Sequence, residues 1–148
     1  MHVLLDTHVL IWALSAPGKL GREARALLES PRAHVLFSAV SIWEIAIKAR
    51  LGRADFRFSP LRIIDRAGET GFEELSVSGS VAARVADLPL HHRDPFDRLL
   101  VAQALDLPAR LLTADGQLEP YSELVTRIDR PRFIRADRSP PSPSAWRP

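Results

Sequence analysis

The chain has 148 residues, 46% apolar and 26% charged, which fits one soluble globular domain with a core large enough to need no covalent staples. It has no cysteine, which excludes disulfides, thiolate metal sites and cysteine nucleophiles. The net charge of +2 is unevenly spread: residues 130–148 carry five arginines against one aspartate, so residues 1–129 hold fifteen basic against seventeen acidic side chains, and a uniformly basic nucleic-acid-binding face is not expected.

Val3-Leu4-Leu5 is a short apolar run ended by Asp6 and predicts a buried strand. Thr7 to Leu14 predicts a helix that stops before Pro17-Gly18. A second helix is expected over Gly21 to Glu29, where Ala24, Leu27 and Leu28 recur at helical spacing. Val35-Leu36-Phe37 predicts another strand, followed by a helix to Gly52 that either Ser38 or Ser41 can cap. A helix over Leu61 to Gly68, a short strand within Phe72 to Val77 and a helix over Val81 to Asp87 come next. Asp94-Pro95-Phe96-Asp97 is the clearest local signal, with Asp94 as N-cap, Pro95 at the first helical position and an acid in the first turn. Its helix runs to Leu105; strands follow over Arg110 to Thr113 and Leu124 to Ile128. Strands alternating with helices predict a parallel α/β sheet covered on both faces. Residues 136–148 are rich in Ser, Pro and Arg and predict a disordered tail after a domain over 1–135. No apolar run approaches the roughly 20 residues a membrane helix needs. The start has no basic segment before its apolar run, so no signal peptide is expected and a cytoplasmic location is.

Two of these strands end in acids, Asp6 and Asp115, and open parallel sheets bind ligands beyond the carboxyl ends of their strands. Glu44 and Asp97 lie near the starts of helices that face the same rim. Each acid also has an ordinary reading. Asp6 can end a strand in a turn, Glu44 can pair with Lys48 at i,i+4, Asp94 and Asp97 can serve the helix start, and Asp115-Gly116 can be a turn. As a set, converging carboxylates repel unless a cation lies between them, and oxygen donors suit Mg²⁺ or Mn²⁺. Such an ion can activate water and offset charge on a phosphodiester. The pair His91-His92 beside Asp94 offers a weaker zinc reading, because His8 and His34 stand at no ligand spacing from it. Trp12 and Trp43 lie in apolar helices and read as core or interface residues. Neither a glycine-rich phosphate loop nor a Gly-x-Ser-x-Gly elbow is present.

Four segments, Leu4-Leu5-Asp6-Thr7-His8, Ser38 to Lys48, His92 to Ala104 and Leu111-Leu112-Thr113-Ala114-Asp115, occur in an order and spacing that resemble the PIN domains (named for the PilT N-terminus), specifically the VapC-type toxins of toxin–antitoxin modules. The resemblance covers residues 1 to about 129, and the Asp-Pro-Phe-Asp-Arg-Leu-Leu helix is its most specific part. It implies a doubly wound α/β/α sandwich with a central parallel sheet, and Mg²⁺- or Mn²⁺-dependent cleavage of RNA. It implies that Asp6, Asp97 and Asp115 are the main metal ligands, with Glu44 a ligand through water or a group orienting the attacking water. Thr7 and Thr113 match hydroxyl positions that support the acids, and Asp94 matches a supporting position. The implied partners are RNA, a small antitoxin that covers the active site, and a second copy of the chain. Two other functions fit the same fold: a housekeeping nuclease for RNA processing or DNA cleavage, told apart by the absence of a neighbouring antitoxin gene, and a non-catalytic binding module. The complete acid set argues against the latter.

Overall fold

The computed structural model describes residues 1–128; the tail expected over 136–148, and the domain boundary before it, lie outside the described residues. Five strands form one sheet: β1 (His2–Leu5), β2 (His34–Ser38), β3 (Glu73–Leu75), β4 (Arg110–Thr113) and β5 (Val125–Arg127). Their order is β3-β2-β1-β4-β5 and every pairing is parallel. The chain therefore winds outward from β1 through β2 to β3, returns to the other side of β1, and winds outward again through β4 to β5. The strand order reverses between β1 and β4, where Leu4 is in register with Leu111 and Leu5 with Leu112.

Six helices cover the two faces: α1 (Thr7–Ser15), α2 (Arg22–Glu29), α3 (Ala39–Arg50), α4 (Pro60–Thr70), α5 (Gly79–Arg84) and α6 (Pro95–Asp106). Successive side chains of a strand point to opposite faces, and the core divides accordingly. Val3, Leu5, Val35 and Phe37 pack with Val9 and Leu10 of α1 and with Ile63 and Ala67 of α4. Leu4, Leu36 and Leu111 pack with Leu100, Val101 and Ala104 of α6. Both faces of β1 are buried, which explains why Val3-Leu4-Leu5 is continuously apolar.

The expected elements are present, with local differences. The run 72–77 yields only three residues of strand, because β3 is an edge with its two glutamates exposed. The helix expected over 81–87 starts earlier, at Gly79, and ends as a 3-10 turn over Val85–Asp87. A further 3-10 turn, Gly116–Tyr121, fills the link between β4 and β5; its residues show no helical period, and it contains Pro120. Gly71 ends α4 in the left-handed region at φ 93°, as a C-terminal glycine commonly does. Trp43 is 59% exposed, so of its two expected placements the core is excluded.

Of the two serines able to cap α3, Ser38 does so, accepting from the Val40 N–H at 3.0 Å. The same hydroxyl donates to Gln103 Oε1 at 2.5 Å, and Gln103 Nε2 donates to the Ser76 carbonyl at 3.2 Å. This buried network ties β2, α6 and the segment after β3 together. Ser38→Ala removes a cap and strands a buried amide oxygen, so it is expected to cost roughly 2–4 kcal/mol in urea unfolding. Ser59→Ala, at an exposed cap position that makes no side-chain cap bond, should stay within about 0.5 kcal/mol of the wild type. Equal effects would show that the Ser38 network contributes nothing beyond an ordinary surface position.

Candidate active site

The switch in strand order opens a cleft of about 650 Å³ at the carboxyl edge of the sheet. Asp6, Thr7, Glu44, Asp94, Asp97 and Asp115 all line it. The first four expected acids, Asp6, Glu44, Asp97 and Asp115, thus reach one cleft from four different elements or their ends. Thr113 does not line it but stands directly behind Asp6.

Asp6 follows β1 and caps α1. Its Oδ1 accepts from the Val9 N–H at 2.8 Å, while Oδ2 accepts from the Thr113 hydroxyl at 2.5 Å and from the Ala114 N–H at 3.1 Å. The Thr113 oxygen in turn accepts from the Asp115 N–H at 3.0 Å, so one buried hydroxyl links the acids at the ends of β1 and β4. Burial nonetheless dominates, and the Asp6 carboxyl is pushed above its usual range despite the donors around it.

Glu44 lies on α3 and is only 3% exposed. Oε1 accepts from the Thr7 hydroxyl at 2.5 Å, and Oε2 is ion-paired with Lys48 one turn along the helix. The Thr7 oxygen also lies 3.0 Å from Ser41 Oγ, which accounts for a buried serine inside α3. The i,i+4 pair and the place in the cleft are therefore both true of Glu44.

Asp94 caps α6, accepting at Oδ1 from the Phe96 N–H at 2.8 Å and the Asp97 N–H at 3.3 Å. Asp97 stands in the first turn with no short cation partner. Its pKa rises to about 8, mainly through desolvation, then through the negative charges of Asp94, Asp6, Glu44 and Asp115. Without a cation, Asp6 and Asp97 both resist ionisation.

Asp115 caps the following turn through Oδ1 to the Gln117 N–H at 2.9 Å, and its Oδ2 lies 2.8 Å from His92 Nε2. His92 is the residue whose position was not legible in advance. Its Nε2 is also 3.5 Å from Asp97 Oδ2, so His92, Asp97 and Asp115 present possible ligand atoms within 4.8 Å of one another. The zinc reading nevertheless fits poorly. The Asp94 N–H donates to His92 Nδ1 at 2.9 Å, so a neutral ring carries its proton on Nε2 and offers the carboxylates a donor, not a lone pair. The neighbouring His91 is exposed and packs edge-on against Tyr121.

The loop carrying His92 is held by Arg98, from the first turns of α6. Nη1 donates to the carbonyls of Pro89 (3.1 Å) and His92 (3.5 Å) and to the Tyr121 hydroxyl (3.2 Å). Nη2 donates to the carbonyls of Val85 (2.9 Å) and Leu88 (3.3 Å). The Tyr121 oxygen accepts from the backbone N–H groups of His91 and His92. The Asp-Pro-Phe-Asp-Arg segment thus supplies a cap, a cleft acid and a loop clamp within five residues. Three basic side chains also line the cleft: Lys48 inside, and Lys19 and Arg127 exposed at its edge.

The donor set suits a hard divalent cation. Carboxylate oxygens converge on one space, and Asp97 is raised by its acidic neighbours. No helix among the described residues is long and apolar enough to cross a membrane.

The chain is similar to several known proteins. The chain is 31% identical over 120 residues to Ribonuclease VapC22 of Mycobacterium tuberculosis (strain ATCC 25618 / H37Rv), covering 80% of this chain and 91% of that protein. Its fold is similar to a chain in the crystal structure of VapBC2 from Rickettsia felis bound to a promoter DNA fragment, with a TM-score of 0.64 at 14% identity over 87% of this chain and 100% of that one. It is also similar to a chain of FitAcB from Neisseria gonorrhoeae, with a TM-score of 0.53 at 17% identity over 86% and 96% of the two chains. The family model described as the PIN domain matches residues 3–124, and the chain belongs to that family.

Proposed function

We propose that this protein is a metal-dependent endoribonuclease and the toxin of a toxin–antitoxin pair. The observation that carries this reading is the convergence of Asp6, Glu44, Asp97 and Asp115 in one open cleft at the switch point of a PIN domain. A relative named as a ribonuclease, and a structural neighbour from a VapBC2 complex, support it.

In this reading Asp6, Asp97 and Asp115 would hold Mg²⁺ or Mn²⁺, and such an ion would supply a water of lowered pKa and offset charge on the phosphodiester. Thr113 fixes both Asp6 and the backbone of Asp115, and the His92 N–H fixes the Asp115 carboxylate. Glu44, held by Thr7 and Lys48, orients water at the inner wall. Lys19 and Arg127 at the cleft's edge meet the RNA backbone, which fits contacts that position a strand without reading its sequence.

The purified protein is expected to cleave RNA with Mg²⁺ or Mn²⁺ and to stop in EDTA. Asp6→Asn, Asp97→Asn and Asp115→Asn should each lower the rate by roughly 100-fold or more, since even outer partners of metal ligands are worth 10–100-fold. Full activity in EDTA would overturn the metal mechanism, and an unimpaired Asp97→Asn would leave that residue only a place in the first turn of α6.

A second outcome follows from the raised Asp97 pKa. Between its unfolded value of 3.8 and about 8, the metal-free folded state binds more protons than the unfolded state. Metal-free stability is therefore fully present below 3.8 and is lost as pH rises through about 8. A divalent cation binds the ionised form, so Mn²⁺ should raise Tm more at pH 8 than at pH 6. Asp97→Asn should raise the metal-free Tm at pH 8 by a few degrees and shrink the Mn²⁺ effect. Equal Mn²⁺ shifts at the two pH values in the wild type would contradict this.

The toxin role is tested in cells. Expression alone should arrest growth, and co-expression with an adjacent small gene should restore it and yield an inactive complex. An arginine of the partner placed among the four acids would form bidentate bonds with a carboxylate and compete with the cation. Harmless expression of a protein that cleaves RNA in vitro would favour the housekeeping nuclease.

A further inference from the structure

Arginine fills 18 of the 20 cationic positions of this chain, yet both of its lysines, Lys19 and Lys48, line the acidic cleft. Lys48 is the inner of the two. Its side chain is largely covered, with Nζ 4.7 Å from the centre of the Phe56 ring and 5.9 Å from that of Phe96, and it is ion-paired with Glu44 Oε2. Phe56 is buried in the core and Phe96 opens α6, so the ammonium is held between two fixed elements. Each Glu44 oxygen already accepts one bond, Oε1 from Thr7 and Oε2 from Lys48.

We infer that Lys48 is a positioning residue that supplies the cleft's second positive charge, so that the site takes one divalent ion, at Asp6, Asp97 and Asp115, and not two. The inference rests on the metal-dependent reading above and extends it to the ion count. A second ion beside the first needs carboxylate oxygens on the Glu44 side of the cleft. There it meets a carboxylate whose oxygens are both engaged and a fixed ammonium that repels it. Lys48 thus neutralises Glu44 permanently and leaves a fixed cation facing the anionic strand, without the weak second-ion affinity that would make activity depend steeply on metal concentration.

The test is a count of Mn²⁺ bound per chain, by electron paramagnetic resonance and calorimetry on the full, partner-free protein, with thermal melts to check folding. The wild type is expected to bind one ion. Lys48→Met, which frees Glu44 and adds one net negative charge, is expected to bind two, and Lys48→Arg one. The double variant Lys48→Met/Glu44→Gln should return to one. Two ions in the wild type, or one in a folded Lys48→Met, overturns the role of Lys48 while leaving a metal-dependent nuclease intact. Two ions in the double variant would show that the added ion does not depend on Glu44 and would overturn the inference as well. No ion in the wild type overturns the metal reading itself. If Lys48→Met does not fold, Lys48→Gln is counted in its place, with two ions expected and one ion overturning the role of Lys48.

Discussion

Four carboxylates repelling one another in a half-buried cleft is the constraint around which the rest of this molecule is arranged. Such a cluster destabilises a fold unless each acid is held by groups that cannot retreat. Here the holders are backbone amides at element ends and buried hydroxyls. Asp6 accepts from Val9, Ala114 and Thr113, and Glu44 accepts from Thr7 and Lys48. Asp97 lacks such a partner, and burial together with its acidic neighbours raises its pKa to about 8.

That support extends beyond the acids. Arg98 binds four backbone carbonyls and the Tyr121 hydroxyl, and so fixes the irregular segment between α5 and α6. The segment carries His92, whose ring joins the Asp94 backbone to the Asp115 carboxylate. This loop is thereby held by hydrogen bonds from a helix and from the turn after β4. The acids at the ends of β4 and α6 are coupled through it, although no backbone pairing connects the two.

The strand–helix alternation, the cap at Asp94 and the four acids were all legible in the sequence, because each depends on local chemistry. A three-residue apolar run buried on both faces, a Pro at the first helical position and an acid after a strand carry their meaning in adjacent residues. The extent of β3 and the turn over Gly116–Tyr121 were not legible, because an edge strand and a proline-containing turn have little periodic pattern. Ser38 and Ser41 were equivalent as caps until the tertiary contacts separated them. Ser38 faces Gln103 across the sheet, and Ser41 faces Thr7 across the cleft.

By itself, then, the sequence determined which residues carry negative charge and which local elements present them, since capping, burial and helical period act within a few residues. Only the tertiary structure decided what stands between those charges. The His92–Asp115 and Arg98–Tyr121 contacts each join residues 23 apart in the chain, and the Phe96 ring beside Lys48 comes from a different helix. A histidine beside another histidine, or an arginine in a helix, looks the same in sequence whether it faces solvent or an acid. The physical reason is that electrostatic and hydrogen-bond partners are chosen by distance in space, and the order β3-β2-β1-β4-β5, set by packing two apolar layers on one sheet, is what fixes those distances.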